Sequence, residues 1–431
     1  MNRWVQLVAG IIAMMAIANL QYAWTLFTTP IQAKLHVSLV AVQWTFTLFV
    51  ALETWLVPFE GYLVDIIGPR LMLGLGSIFV ALGWVGSGKA ESINGLYFWY
   101  ALGGIGAGIV YGGAIGNALK WFPDHRGLCV GLTAGAYGIG TASTIAPIAA
   151  MLKASGYQHT FIVWGFIQGI VVLVCALFLA RPPMGWMPPN WKEKEAKIKS
   201  KLKVSSVNLT PWQMLRQPSF YVIYLMMTML AFGGLVVTAQ LNPLAKTYKV
   251  DNVIVLWGMT ALVLAITVDR LLNGLTRPFW GWVSDHIGRE NAIFYSFVLE
   301  AICVFALLQL MSHPVWFVAL SGLCFFAWGN IFSLFPAITG DLYGNKWATT
   351  NYGIVYTAKG LAALLAGPGA AWLFAKTGSW NKVFYAMIVC DLAAAFMALL
   401  WLKPLAARTV AAAESSAAPV VGVTTTQPIK A

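Results

Sequence analysis

The chain has 431 residues, of which 59% are hydrophobic and 14% aromatic while only 10% are charged. So few polar groups cannot coat a core of this size, which excludes a water-soluble globular protein and a disordered one. The net charge of +12 is therefore read as membrane topology, and no nucleic-acid partner is expected.

A hydrocarbon layer of roughly 30 Å takes about 20 apolar residues per helical crossing. Apolar runs bounded by charge or turn residues recur at 5–30, 38–64, 71–89, 94–121, 127–153, 160–180, 217–246, 254–284, 291–311, 314–342, 350–376 and 380–403. They predict an all-α membrane protein with twelve transmembrane helices. The first run is longer than a signal-peptide core and lacks a cleavage motif, so it is kept as helix one. Between the sixth and seventh runs, Arg181 to Arg216 is polar and contains KEKEAKIKSKLK, the pattern of a solvated linker lying near anionic lipid. From Leu405 the tail is mostly Ala, Val, Ser and Thr, and disorder is expected there.

The expected organisation is a six-helix bundle over 1–180, a linker over 181–216, a second bundle over 217–404 and a tail over 405–431. Lys and Arg concentrate in the even-numbered loops and the ends, which places both termini in the cytoplasm. Cys129, Cys175, Cys303, Cys324 and Cys390 all fall inside apolar runs without metal-ligand spacing. They read as packing residues, and neither a metal nor a cofactor is expected. Gly104, Gly108, Gly112 and Gly116 recur every fourth residue in the fourth run, the small-residue spacing that lets helices approach closely.

An internal repeat supports two parallel halves. PFEGYLVDIIG at 58–68 returns as PFWGWVSDHIG at 278–288, and Tyr137-Gly138 is echoed by Lys359-Gly360 at almost the same separation. The first copy reads Gly61, Leu63, Asp65, Gly68, Arg70 and the second Gly281, Asp285, Gly288, Arg289. This resembles the GxLxDxxGxR signature of the major facilitator superfamily. The resemblance implies two pseudo-symmetric six-helix bundles, and makes Asp65, Gly68, Arg70, Asp285, Gly288 and Arg289 gating candidates whose charge pairs open as the halves rock.

Seven ionisable residues lie well inside apolar runs: Glu53, Asp269, Arg270, Arg277, Glu300, Lys359 and Asp391. Each is costly in lipid unless it faces a partner or a wet cavity, so each is a functional candidate. Arg277 lies about 12 Å from the end of its helix at 1.5 Å per residue, and Lys359 lies at nearly the same depth. Two cations at matched depth can clamp one small anion, and their repeat partners are the uncharged Val57 and Tyr137. Asp269 and Arg270 read as a self-neutralising pair, while Glu53 reads as a proton site or as the partner of a buried cation. Glu300 and Asp391 find no role at this level.

The segments NLQYAWTLFTTP, GIVYGGA, KWFPDHRGL, GAYGIG, LNGLTRPFWG, FFAWGNIFSLFP and NYGIVYTAKG are similar to those of the oxalate:formate antiporter family. The resemblance implies that the family's essential Arg and Lys fall on Arg277 and Lys359. It also implies that Gln21, Tyr22, Gln43, Tyr111, Tyr137 and Trp328 surround the anion, with Tyr356 as a further wall. The chain departs from that pattern at Phe332, Tyr356, Asp269, Arg270 and Glu53. A monomeric carrier in a bacterial inner membrane that exchanges small carboxylates is therefore expected. Two buried cations without a counter-charge would keep the empty carrier from crossing, which enforces the exchange. A proton-coupled monocarboxylate symporter using Glu53 or Asp269 is the alternative. An enzyme is not expected, since HExxH, Walker A and GxSxG motifs are missing.

Overall fold

The computed structural model describes residues 2–409 apart from 123–125, 184, 185, 187, 190–208 and 344–347; the side chains of 62, 65, 66, 119, 126–128, 130, 285, 348 and 349 also lie outside the description. The basic run of the linker, the tail beyond 409 and the side chains of Asp65 and Asp285 are therefore not described.

The first half comprises α1 (Arg3–Tyr22), α2 (Trp24–Leu35), α3 (Leu39–Trp55), α4 (Val57–Ile67), α5 (Pro69–Lys89), α6 (Ile93–Trp121), α7 (Arg126–Ile139) and α8 (Ile145–Phe178). The short α9 (Pro211–Leu215) leads into α10 (Pro218–Thr247), α11 (Ala261–Ile287), α12 (Arg289–Leu310), α13 (Pro314–Trp328), α14 (Ile331–Tyr343), α15 (Ala348–Leu364), α16 (Ala370–Thr377) and α17 (Asn381–Met397). Nine described helical stretches are long and apolar enough to cross a membrane, and Leu39–Trp55 is a shorter one.

Several predicted runs are broken helices. Run one is α1 and α2, parted at Ala23; run two is α3 and α4, parted at Leu56 just before Pro58. Run eleven is α15 and α16 joined by a π-turn, Leu365–Gly369, that contains Pro368. Proline removes one helix hydrogen bond and crowds the preceding turn, which explains the last two breaks. At Gly156 the backbone takes φ 76° and ψ 169° inside α8, where runs five and six were expected to separate. Only glycine enters that region at little cost.

Two expectations are corrected. Run eight was expected to begin at 254, yet Ile254–Leu256 and Met259–Thr260 form a two-stranded antiparallel ribbon. Trp257 and Gly258 both have positive φ, as a tight hairpin turn requires. Helix α11 then starts at Ala261, with Thr260 capping it by accepting from the Val263 N–H. The tail was expected from Leu405, but the final helical stretch continues to Thr409.

The glycine stripe of α6 is only half a packing surface. A Cβ on Gly104 would meet the Phe49 carbonyl at 2.5 Å and one on Gly108 the Glu60 carboxyl at 2.5 Å, whereas Gly112 and Gly116 face open space. Toward α5 the close approach is made by Gly103 and Gly106 instead. Cys129, Cys175, Cys303 and Cys324 are buried, and Cys390 is half-buried.

The halves meet along α3 with α15 and α7 with α11. Gly353, Gly360 and Gly367 present bare backbone to Pro58, Thr54 with Trp55, and Thr47 respectively. On the other seam Gly138 lies against Gly274. Polar contacts cross as well: on the α3–α15 seam Thr47 Oγ1 donates to the Ala363 carbonyl at 2.9 Å and Trp55 Nε1 to the Thr357 carbonyl at 3.0 Å, and Asn242 on α10 donates to the Thr25 carbonyl on α2 at 2.9 Å.

Candidate functional site

The breaks in the helices position the polar residues. Gln21 and Tyr22 end α1, Glu53 stands two residues before the end of α3, and Trp328 ends α13. These meet residues from the middle of α11 and α15 in the space between the halves, where Lys359, Arg277 and Glu53 are each at most 2% exposed.

Lys359 Nζ lies 3.0 Å from Glu53 Oε2, and it donates to Gln21 Oε1 at 2.8 Å and to Tyr356 OH at 3.2 Å. The Tyr137 hydroxyl stands 2.7 Å from Glu53 Oε1 and 2.9 Å from Gln21 Oε1, so its single proton serves one of them at a time. Lys359 thus has an internal counter-charge. The expectation of two uncompensated cations is corrected here, because an acid on α3 comes to face a base on α15 only through tertiary packing.

Arg277 donates to the Ala134 carbonyl on α7. Among the described residues no carboxylate lies within ion-pair distance of it, and its Nε has no hydrogen-bond partner. Its guanidinium carbon is 4.7 Å from the Phe332 ring centroid, and Lys359 Nζ is 5.6 Å from the same centroid. Both cations therefore approach one aromatic ring. Around them runs a wall of rings: Tyr22 against Tyr137, Tyr137 against Tyr111, and Tyr111 stacked on Tyr356 at 5.5 Å and 9°. Phe332 then meets Tyr356 and Trp328. The Trp328 indole donates to the Leu230 carbonyl at 2.9 Å, so it stands behind Phe332 as support.

Gln43 is not joined to this network by any described hydrogen bond. Its amide reaches the Ala239 carbonyl and Gln240 on α10, and its oxygen accepts from Trp24, which makes it a tie between the halves.

Among the described residues Asp269 and Arg270 make no ion pair within 4 Å, although each lies in the field of the other's charge. Neighbours on a helix point about 100° apart. Arg270 is clasped between the rings of Tyr22 at 4.2 Å and Phe325 at 3.9 Å. Asp269 is fully buried with neither carboxylate oxygen hydrogen-bonded. Glu300 and Asp391 converge on one face of α10, over Gly233: their oxygens lie 3.3 and 3.5 Å from its Cβ position. Both are buried.

A further acid, Glu60, escapes the sequence reading. It is 5% exposed, and neither of its oxygens has a hydrogen-bond partner. Five residues before Asp65 it passes for the polar end of the repeated motif; its seven-residue spacing from Glu53, two helical turns, is the signal that marks it.

Of the gating candidates, Gly68 and Gly288 adopt φ 105°, ψ 155° and φ 91°, ψ 152°. The two copies thus turn in the same glycine-restricted conformation. Arg70 Nε donates to the Leu179 carbonyl at 3.1 Å, and Arg289 Nε lies 3.2 Å from Asp341 Oδ2. Both contacts stay within one half. Leu63 is exposed, and Gly61 and Gly281 have open space around them.

Helices that span a bilayer, a duplicated motif and a charged cluster sealed between the halves together define a multi-pass membrane transporter. The family model of the Major Facilitator Superfamily matches residues 9–272 and 264–429, and the chain belongs to that superfamily. It is 35% identical over 387 residues to the oxalate:formate antiporter of Oxalobacter formigenes, covering 89% of this chain and 87% of the relative. It is also similar, at 20% identity over 462 residues, to monocarboxylate transporter 14 of Homo sapiens, with 90% and 88% covered. An uncharacterized MFS-type transporter of Escherichia coli K12 is 25% identical over 366 residues, with 84% and 86% covered.

Proposed function

We propose that this transporter exchanges small carboxylate anions by alternating access around Arg277 and Lys359, in a bacterial inner membrane with both termini cytoplasmic. The observation that carries the reading is a surplus of buried donors. Arg277 Nε, Arg270 Nε and Nη1, and Gln21 Nε2 all lack a hydrogen-bond partner. Unpaired buried donors of this kind are costly, and a carboxylate with its four lone-pair sites is the small ligand that would satisfy several at once. The aromatic wall keeps water out, so charge-assisted hydrogen bonds in the site are strong. The relatives from Oxalobacter formigenes and Homo sapiens also carry carboxylates by their names.

The direct test is efflux of labelled oxalate or formate from vesicles holding the purified protein. External carboxylate should speed it roughly tenfold or more over carboxylate-free buffer. If no small carboxylate on the outside accelerates efflux, the reading is wrong.

A further inference from the structure

Resting on that carboxylate reading, we propose that Glu53 is a tethered carboxylate that takes the substrate's place on Lys359 in the empty carrier, and that it links net carboxylate transport to a proton.

Glu53 already receives what a bound carboxylate would receive. One oxygen takes Lys359 Nζ at 3.0 Å and the other takes the Tyr137 hydroxyl at 2.7 Å. The acid comes from the first half of the chain and the base from the second, and both are buried. Glu53 is met directly by Tyr137 on α7 and Lys359 on α15, and these in turn hold Gln21 on α1 and Tyr356 on α15 around it. Tyr111 of α6 stacks on Tyr356, Arg277 of α11 lies over the Phe332 ring that Lys359 also approaches, and Glu60 comes about two turns later along the same segment. Among the described residues Lys359 is the cation within ion-pair distance of Glu53. Lys359 is therefore compensated from within the chain.

A guest carboxylate must compete with Glu53 for Lys359. Two carboxylates beside one ammonium in a dry site repel each other, so the displaced Glu53 takes a proton from water on the open side and stays buried as the neutral acid. When the guest leaves on the far side without replacement, Glu53 releases that proton to the water there and returns to Lys359. One carboxylate charge and one proton have then crossed together, with no net charge moved. In exchange, one guest succeeds another while Glu53 remains protonated, and no proton moves. Exchange skips the deprotonation step and is the faster mode; net transport is slower and carries one proton with each monocarboxylate.

Glu53→Gln separates the two modes, since Gln copies the neutral acid and cannot compensate Lys359. In vesicles holding the full-length protein, labelled formate and a trapped pH indicator report both fluxes. The ratio of net efflux to exchange should fall roughly tenfold or more in E53Q, with loss of proton co-movement. Glu53→Asp, which keeps an acid, should restore proton movement, and wild-type net efflux should itself carry a proton. An unchanged ratio in E53Q, proton-free net efflux in the wild type, or proton co-movement that persists in E53Q each overturns the proposal. A wild type that exchanges no small carboxylate at all refutes the underlying carboxylate reading, and is told apart because neither mode is then present.

Discussion

The two halves of this molecule share a scaffold and differ at its centre. The turns at Gly68 and Gly288 have the same glycine-restricted backbone, and each closes a helix that carries the repeated motif. Between them the chemistry is unequal. The second half supplies Arg270, Arg277 and Lys359, while the first supplies Glu53, Glu60, Gln21 and the Tyr137 hydroxyl. At the repeat positions of the two clamp cations the first half has Val57 and Tyr137. Duplication accounts for the architecture, and the departures from it mark the site.

That contrast can be broken most sharply at Arg277. Arg277→Gln should lower carboxylate affinity roughly 100-fold or more in a binding assay, because a charged bidentate donor and its field are both lost. Normal affinity in that variant would move the site elsewhere. Tyr137→Phe is a milder test of the first half's share. Losing one hydroxyl donor to a charged acceptor should raise the KM for transport about tenfold and change the maximal rate less; a KM within about twofold of wild type would leave Tyr137 as wall alone. The scaffold itself should respond evenly. Gly68→Ala and Gly288→Ala should each cost about 1 kcal/mol of stability or a little more, and by similar amounts, since both force a side chain into the same unfavourable backbone region. Thermal melts in detergent that differ strongly between the two variants would show that the turns are not equivalent.

Much of the fold was legible because lipid leaves a coarse signature. The repeated motif exposes the duplication, and the apolar runs follow from solvent alone. Arg277 and Lys359 stood out for the same reason: an ionisable group in an apolar helix is conspicuous in one dimension. Run eight was misplaced at its start since Ile254, Val255, Leu256 and Trp257 are as apolar as helix and only their turn tells them apart. The pairing of Glu53 with Lys359 was hidden for a deeper reason. It joins residues 306 positions apart, and nothing local in either helix specifies the other. For Asp269 and Arg270 the nearness of opposite charge was legible, while the clasp of Arg270 between Tyr22 and Phe325 was not, because neighbours along the chain diverge around a helix.

The bare glycine face of α15 has a mechanical consequence. Gly360 lies on Thr54 and Trp55 of α3, Gly353 on Pro58 of α4, and Gly367, in the π-turn after α15, on Thr47 of α3, so at these points bare backbone faces the opposite half and the joint can slip like a planed board held by pegs. Two of the pegs are the hydroxyl of Thr47 and the indole of Trp55, each fastened to a carbonyl on the opposite board, and the Glu53–Lys359 pair is a third. A single methyl planted at Gly360 would meet Thr54 and Trp55 at 2.5 Å and act as a wedge right beside the Glu53–Lys359 pair, slowing the sliding.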